Sequence, residues 1–210
     1  MLIVFDSHDL VGKTPVANIV SRVFEIPFPK EFTSQGVKLP VDQHVIWAKA
    51  QYALMTNLQN SLKFDMIMDR WYMSEACYSK VIRGYTPDYI TELEKKINDN
   101  VIWFYFCFDE NIRKEAIEYR LSKDDDEIFK ADQILKVAEE YDHFFDKSKL
   151  KNKYKIVETT IDFKDEICDV ATEVSRILYE DFSIGKFLDY NDDIKYCLAH
   201  YDRLFKKENR

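Results

Sequence analysis

The N-terminal segment of the chain combines residue types that bind phosphate. Residues 5–14, with the letters FDSHDLVGKT, follow an apolar run and lead into a second apolar stretch, which indicates a strand, a loop and a helix. In such a loop the backbone amides and the helix N-terminus bind a polyphosphate, a lysine reaches the β and γ phosphates, and a hydroxyl binds Mg²⁺. The residues predicted to bind phosphate are Ser7, His8, Asp9, Leu10, Val11, Gly12, Lys13 and Thr14.

One position of this loop departs from the usual pattern G-x-x-x-x-G-K-[ST]. Ser7 stands where the first glycine is expected, so a strict pattern search would miss the loop. If the backbone at Ser7 must adopt a positive φ, a residue other than glycine costs about 1–2 kcal/mol there. A chance Gly-Lys-Thr after a strand is the alternative, so support has to come from other segments.

A second set of polar residues follows another predicted strand. Asp69 and Arg70 come directly after the apolar run at residues 66–68. Because ligands of an open parallel sheet bind outside the carboxyl ends of its strands, both side chains are expected to face the phosphate loop. An arginine there can bind a phosphate bidentately, and an aspartate can hold Mg²⁺ or accept a proton. A strand-end salt bridge without further function is the alternative.

An alternation of strands and helices must position these residues. Short apolar runs indicate buried parallel strands, and the segments between them have helical patterns, which together predict an α/β fold. The helix at residues 42–62 is expected to be largely buried against the sheet. The predicted strands are 2–5, 66–68, 101–108 and 154–157, and the other predicted helices are 87–97, 111–121, 132–146 and 165–179.

Length, charge and composition narrow the classes of function. The chain has 210 residues, a formal net charge of −8 and 46% hydrophobic residues, which favours one folded domain and makes a long nucleic-acid partner unlikely. The sequence shows neither a secretory signal nor a membrane-spanning run, so a cytoplasmic location is expected. Four cysteines without a C-x-x-C spacing give little support for a zinc site or a disulfide framework.

The order of these motifs resembles that of the thymidylate kinases and related deoxynucleotide kinases, over roughly residues 1–180. The loop at residues 5–14 is similar to the family pattern F-E-G-x-D-x-x-G-K-[ST], and residues 69–78 fit D-R-[YFW]-x-x-S-x-x-x-Y. The resemblance implies a three-layer P-loop kinase fold with a central parallel sheet of about five strands flanked by helices. It also implies ATP as phosphoryl donor, Mg²⁺, a deoxynucleoside monophosphate as acceptor, and a homodimer.

The same resemblance assigns roles to individual residues. It places Asp9 near the acceptor sugar and the transferring phosphate, and it makes Asp69 the catalytic and magnesium-associated carboxylate. Thr14 would be the second metal ligand, Arg70 would hold the monophosphate, and Tyr78 would lie under the deoxyribose.

Departures from the family pattern fall mainly on the acceptor side. The arginine that usually follows Phe-Pro is replaced, so that only Lys30 is available to bind the acceptor phosphate there. The base-recognition pattern F-x-x-x-R falls on Trp47 and Gln51, which keeps an aromatic platform but replaces the arginine by an amide. An amide accepts as well as donates hydrogen bonds, so the base specificity is expected to differ from that for thymine.

Basic residues around an acidic connection resemble the lid of these kinases, here at about residues 113–131. The family takes a catalytic cation either from the phosphate loop or from the lid, and Leu10 cannot supply it. Arg120, or less favourably Lys123, is therefore the candidate. The kinase domain is expected to span residues 1–180, and residues 181–210 to form a C-terminal helical appendage.

Two other classes of function remain open from the sequence. One is a deoxynucleoside kinase, or a kinase of a modified nucleotide in DNA, for which the weakened phosphate clamp at Lys30 is an indication. The other is a degenerate P-loop protein that binds nucleotide without catalysis, for which Ser7 and Leu10 are the best indications.

Overall fold

A four-stranded parallel sheet forms the centre of the protein in the computed structural model, which describes residues 1–28, 39–59, 61, 63–124, 127–163 and 166–184. The strand order is β2-β1-β3-β4, and every neighbouring pair is parallel. The strands are β1 (Leu2–Asp6), β2 (Met66–Asp69), β3 (Val101–Phe108) and β4 (Lys153–Glu158). The predicted α/β fold is thereby confirmed.

The described sheet has one strand fewer than the five or so that were expected. Beyond β2, the backbone amide of Ile67 donates a hydrogen bond to the carbonyl of Pro27 (2.9 Å). The chain after the first helix therefore touches the free edge of the sheet without forming a ladder, and the residues that follow, 29–38, lie outside the described part.

Helices cover both faces of the sheet, which explains why β1 and β3 are buried along their whole lengths. Alternate residues of β1 enter two separate apolar clusters: Ile3 and Phe5 point to one, Leu2 and Val4 to the other. The helices are α1 (Lys13–Val23), α2 (Val41–Gln59), α3 (Tyr72–Tyr78), α4 (Tyr89–Glu94), α5 (Arg113–Leu121), α6 (Ala131–Lys147) and α7 (Ile167–Phe182).

The segment after β2 contains structure that the sequence patterns did not predict. Helix α3 continues into a π-helical turn, Ser79–Arg83, which ends at Gly84 with a φ of 73°. Such turns are rare and often lie at functional sites.

The prediction that the helix at residues 42–62 is largely buried was wrong. Helix α2 buries Ala48, Tyr52 and Met55, whereas the side chain of Ile46 is 70% exposed and that of Leu54 is 53% exposed. The mixed spacing of its apolar residues reflects a second apolar face, whose members Ile46, Leu54 and Leu58 are exposed.

Two predicted regions fall partly outside the described residues. In the lid region, α5 and the start of α6 are described, but residues 125–126 are not. Helix α7 ends at Phe182, and the expected appendage lies outside the described part from residue 185 onward. Among the described helices, none has the length and apolarity to cross a membrane.

Candidate active site

The phosphate loop lies between β1 and α1, as predicted, and its backbone shows how Ser7 is tolerated. The positive φ in this loop belongs to Leu10 (73°) and not to Ser7. Ser7 instead stabilises the turn, since its amide donates to Asp6 Oδ1 (2.9 Å) and its hydroxyl to the carbonyl of His8 (2.8 Å). The strain of a non-glycine residue at positive φ therefore falls at Leu10.

Thr14 and Lys13 meet Asp69 across the carboxyl ends of β1 and β2. The Thr14 hydroxyl donates to Asp69 Oδ2 (3.1 Å), and Lys13 Nζ lies 3.6 Å from Asp69 Oδ1. Asp69 Oδ1 is a buried atom with no hydrogen-bond partner among the described residues. Two protein oxygens of this kind fit Mg²⁺, which usually takes its other ligands from water and substrate phosphates.

Asp9, Arg70 and Tyr78 form one cluster beside the loop. The Arg70 guanidinium contacts the Asp9 carboxylate, and the Tyr78 hydroxyl donates to the same carboxylate. Burial acts to raise the pKa of Asp9, but the charges of Arg70 and Lys13 outweigh it and lower that pKa. Arg70 also lies 5.0 Å from the centre of the Tyr78 ring and has a positive φ of 64°.

A buried carboxylate that the sequence analysis missed holds this cluster in place. Asp6, with 0% exposure, accepts hydrogen bonds from the Trp71 amide (3.0 Å), the Ser74 hydroxyl (2.6 Å) and the Tyr141 hydroxyl (2.6 Å). It thereby supplies the N-terminal cap that Trp71 does not give to α3. Burial raises the pKa of Asp6, and the hydrogen bonds from Ser74 and Tyr141 oppose that shift.

Arg120, the predicted lid cation, lies on α5 and contacts the loop between β1 and α1. Its Nη1 donates to the carbonyl of Leu10 (3.0 Å) and to Glu158 Oε2 (2.8 Å), and its Nε donates to the carbonyl of Ile161 (2.9 Å). The other carboxylate oxygen of Glu158 accepts from the Gly12 amide (2.6 Å). Burial raises the pKa of Glu158 to about 7, against the opposing effects of Arg120 and Gly12.

A cavity of about 1130 Å³ opens beside the loop, between α1, α5 and the segment after β4. The sequence analysis assigned no role to Tyr119, Phe163 or Cys168 in its wall. For Phe163 a signal was available, since residues 159–163 directly follow the last strand at the same edge of the sheet. The cavity is lined by Leu10, Val11, Gly12, Lys13, Thr14, Pro15, Tyr119, Arg120, Lys123, Asp124, Asp162, Phe163, Ile167 and Cys168.

The predicted base-recognition residues lie on α2. Trp47 is half-buried, with its ring centre 5.7 Å from that of His44, and Gln51 is half-buried one turn later. His44 Nε2 in turn lies 2.9 Å from a carboxylate oxygen of Glu75, a buried residue that the sequence analysis did not single out. Lys30, the predicted phosphate ligand, lies outside the described residues.

His8 is the remaining predicted loop residue with a titratable side chain. It is fully buried, and its Nδ1 lies 2.6 Å from the carbonyl of Asp9, to which it donates. Burial lowers the pKa of His8 to about 4, so the imidazole is neutral at physiological pH.

Solved structures of P-loop kinases resemble this fold. The YorR protein of Bacillus subtilis, in complex with phosphorylated GDP, gives a TM-score of 0.62 at 18% identity, covering 87% of this chain and 98% of its own. Thymidylate kinase from Candida albicans gives a TM-score of 0.55 at 14% identity, and the match covers 86% of this chain and 91% of that one. Deoxyadenosine kinase from M. mycoides, with dCMP and dCDP bound, gives a TM-score of 0.58 at 15% identity, and the match covers 84% of this chain and 100% of that one. At these identities the likeness shows the fold alone.

The sequence itself places the chain in a family. A search of curated proteins finds no match. The thymidylate kinase family, however, matches residues 11–167, which is most of the chain and includes Gly12, Lys13, Thr14, Asp69 and Arg70. The chain therefore belongs to the thymidylate kinase family and is a nucleotide kinase.

Proposed function

We propose that the protein transfers the γ-phosphoryl group of ATP, with Mg²⁺, to a deoxynucleoside monophosphate. The observation that carries this proposal is the meeting of two charge clusters at one edge of the sheet. Lys13 and Thr14 meet Asp69 in one cluster, and Asp9 meets Arg70 in the other. A protein that only binds nucleotide has little use for the second cluster.

The donor half of the reaction uses the loop and the adjoining cavity. The cavity of about 1130 Å³ is large enough for a nucleotide, and it leads to the N-terminus of α1, whose first amides have no partner within the helix. Lys13 would neutralise the β and γ phosphates. Thr14 and Asp69 would hold Mg²⁺, which supplies electrostatic stabilisation of the phosphates when it is bound.

The acceptor half uses Arg70, Asp9 and Tyr78. A guanidinium is suited to a phosphate because its donors match two phosphate oxygens at once. Since the nucleophile would be an oxygen of an existing phosphate, the reaction needs no strong general base, and positioning provides most of the catalysis. Asp9 would orient Arg70 and the acceptor sugar, and Tyr78 would support the sugar from below.

Arg120 is the proposed cation for the charge that develops during transfer. Its position 3.0 Å from the carbonyl of Leu10 puts it beside the loop that has no arginine of its own. A guanidinium beside the transferring phosphate would stabilise the negative charge of the transition state.

The acceptor base is proposed to be one other than thymine. Gln51 offers both a donor and an acceptor, which suits the edge of adenine, cytosine or a modified pyrimidine better than an arginine does. The dCMP bound by the M. mycoides deoxyadenosine kinase is consistent with a related fold that accepts bases of this type.

An assay of ADP release over all natural and common modified deoxynucleoside monophosphates tests the proposal. We expect ATP- and Mg²⁺-dependent turnover with at least one of them. The absence of turnover with any of these monophosphates would refute the proposed reaction.

A deoxynucleoside acceptor is the second candidate, favoured by one specific contact. Arg70 is already engaged by Asp9, which weakens its charge toward a monophosphate. Turnover should be compared on nucleosides, on monophosphates and on single-stranded DNA with modified bases. The acceptor that is phosphorylated distinguishes a deoxynucleoside kinase, the proposed monophosphate kinase and a DNA kinase. Calorimetric binding of ATP with no transfer to any acceptor would instead favour a binding protein.

We also propose that two copies associate through α2. Ile46, Leu54 and Leu58 are exposed at spacings that place them on one side of the helix, and an exposed apolar face of this kind indicates a protein partner. Light scattering after gel filtration should give a dimer for the native chain and a monomer for Ile46→Glu combined with Leu54→Glu. A native monomer at all concentrations would refute this association.

A further inference from the structure

The carboxylate of Glu158 bridges the phosphate loop and Arg120. Its Oε1 lies 2.6 Å from the Gly12 amide, and its Oε2 lies 2.8 Å from Arg120 Nη1. The side chain stands at the end of β4, at the same edge of the sheet as the loop, and is fully buried. One internal anion therefore contacts two groups that are able to bind a phosphate.

The Gly12 amide is one of the donors that such loops offer to phosphates. Gly12 is the N-cap of α1, and the first turn of this helix has no acidic residue of its own. A helix N-terminus stabilises a negative charge by its orphan amides and its dipole. Glu158 supplies that charge from a position 146 residues away in the chain.

Arg120 is tied to the same place by further contacts. Besides Glu158, it donates to the carbonyls of Leu10, Thr160 (3.2 Å) and Ile161. A guanidinium has five N–H donors, so most of them are used within the protein. Its charge is balanced by Glu158 before any nucleotide arrives.

The segment after β4 also packs directly against the loop. A methyl group placed on Gly12 would lie 2.1 Å from the ring of Phe163, so the glycine and the ring are in close contact. Phe163 lines the cavity in which the donor nucleotide would lie. A triphosphate that enters the loop therefore meets both Phe163 and the charge of Glu158.

We propose that Glu158 is an internal competitor of the donor triphosphate, which holds Gly12 and Arg120 until the phosphates displace it. This inference rests on the donor half of the proposed function. Binding of the phosphates separates the Glu158 carboxylate from the Gly12 amide and from Arg120, and both groups then face the triphosphate. The free energy of these two contacts is lost on binding, so ATP binds less tightly than the loop alone would permit.

The charged and titratable groups that face Glu158 belong to three parts of the fold. Arg120 on α5 opposes the pKa shift that burial causes, Glu166 before α7 adds to that shift, and Cys107 on β3 is a buried thiol nearby. With the pKa of Glu158 at about 7, a proton neutralises the competing charge within an accessible pH range. Competition is therefore expected to be strong at pH 8 and weak at pH 6.

Calorimetric titration of the full chain with Mg·ATP tests the inference. Glu158→Gln keeps the shape of the side chain but removes its charge, so we expect about tenfold tighter binding at pH 8 than in the native protein. The difference between the two proteins should shrink toward pH 6. Glu158→Asp, whose shorter side chain cannot span both contacts, should also bind more tightly and replaces the first variant if that one does not fold.

Glu166→Gln is the matched control. Glu166 is buried at the same edge and accepts hydrogen bonds from the Thr159 (2.8 Å) and Thr160 (3.0 Å) amides, whereas the described contacts of Gly12 and Arg120 include no hydrogen bond or ion pair with it. If loosening of the segment after β4 were sufficient, this variant would bind ATP more tightly as well, and the inference would be overturned. Equal or weaker binding by both Glu158 variants would overturn it too.

The same titrations separate this inference from the proposed reaction. Tighter ATP binding by Glu158→Gln, together with no transfer to any acceptor, would leave the inference standing and refute the kinase reaction. Transfer by the native protein with unchanged ATP affinity in Glu158→Gln would refute the inference alone.

Discussion

Arg70 and Asp9 form an ion pair at the mouth of the phosphate loop, between the end of β2 and the turn after β1. Both side chains are 20% exposed, so the pair is neither fully solvated nor sealed from a ligand. Arg70, which would bind the acceptor phosphate, is therefore oriented by Asp9, a residue of the loop that would bind the donor. This ion pair connects the two halves of the proposed site.

Arg70→Lys is expected to lower kcat/KM for the acceptor by about 10²-fold, because an ammonium cannot replace the bidentate geometry of a guanidinium. Affinity for ATP should change by less than about twofold. The measurement is steady-state turnover with a monophosphate, together with calorimetry for ATP. Arg176→Lys is the control, since Arg176 lies in an exposed ion-pair cluster on α7. An equal loss in both variants would contradict the assignment.

Lys13→Ala is expected to reduce turnover by at least about 10²-fold while the fold stays intact. The Lys13 side chain is mostly buried and lies 3.6 Å from Asp69, where it is placed to meet the phosphates of the donor. Circular dichroism verifies the fold and ADP release measures turnover. Lys80→Ala removes an exposed ion pair with Glu140 and should be nearly neutral. Near-native activity of Lys13→Ala would refute the phosphate-loop assignment.

Thr14 offers a test of the metal site that does not depend on the Lys13 variant. Thr14→Val keeps the volume of the side chain and removes the hydroxyl, which now donates to Asp69 (3.1 Å). We expect the Mg²⁺ concentration for half-maximal activity to rise by about 10-fold or more. Thr14→Ser retains the hydroxyl and should stay close to the native value. If both variants needed the same Mg²⁺ concentration as the native protein, Thr14 would not be a ligand.

Local patterns predicted the parts of the structure whose causes are local. Apolar runs gave the four described strands, and the loop chemistry of Lys13 and Thr14 could be inferred because it depends on adjacent residues. The placement of Asp69 followed from a rule about parallel sheets, since strand ends meet at one edge.

Contacts between residues that are far apart in the sequence could not be predicted from local patterns. Asp6 binds Tyr141 across 135 residues and Glu158 binds Gly12 across 146, and no periodicity marks either acidic residue. The burial of α2 was misjudged because an apolar residue such as Ile46 gives the same sequence pattern whether it packs in the core or is exposed.

Asp6→Asn is expected to lower the free energy of unfolding by about 2–4 kcal/mol. The amide keeps one acceptor but directs an NH₂ group at donors such as the Ser74 hydroxyl, so buried donors lose their partner. Urea titration measures the change. Asp99→Asn removes only an exposed pair with Lys151 and should stay within about 0.5 kcal/mol of the native protein. If Asp6→Asn changed the free energy of unfolding as little as Asp99→Asn does, α3 would need no N-terminal cap from Asp6.

His8 makes stability depend on pH on the acid side. Its pKa is lowered from 6.5 to about 4 in the folded chain, mainly by burial. Between these values the unfolded chain binds more protons than the folded chain, so the free energy of unfolding falls as the pH falls. The decrease attributable to His8 is up to roughly 3 kcal/mol. Glu158, whose pKa is raised from 4.5 to about 7, contributes the opposite slope.

Because these slopes oppose each other, only a difference between variants isolates His8. His8→Asn retains an N–H that can donate to the carbonyl of Asp9 but does not titrate. Urea titrations from pH 7 to pH 4 should show that this variant loses less stability over that range than the native protein. His143→Asn, at an exposed position of α6, should keep the native dependence. If His8→Asn and His143→Asn followed the same curve, the pKa of His8 in the folded protein would not be lowered by burial, contrary to this prediction.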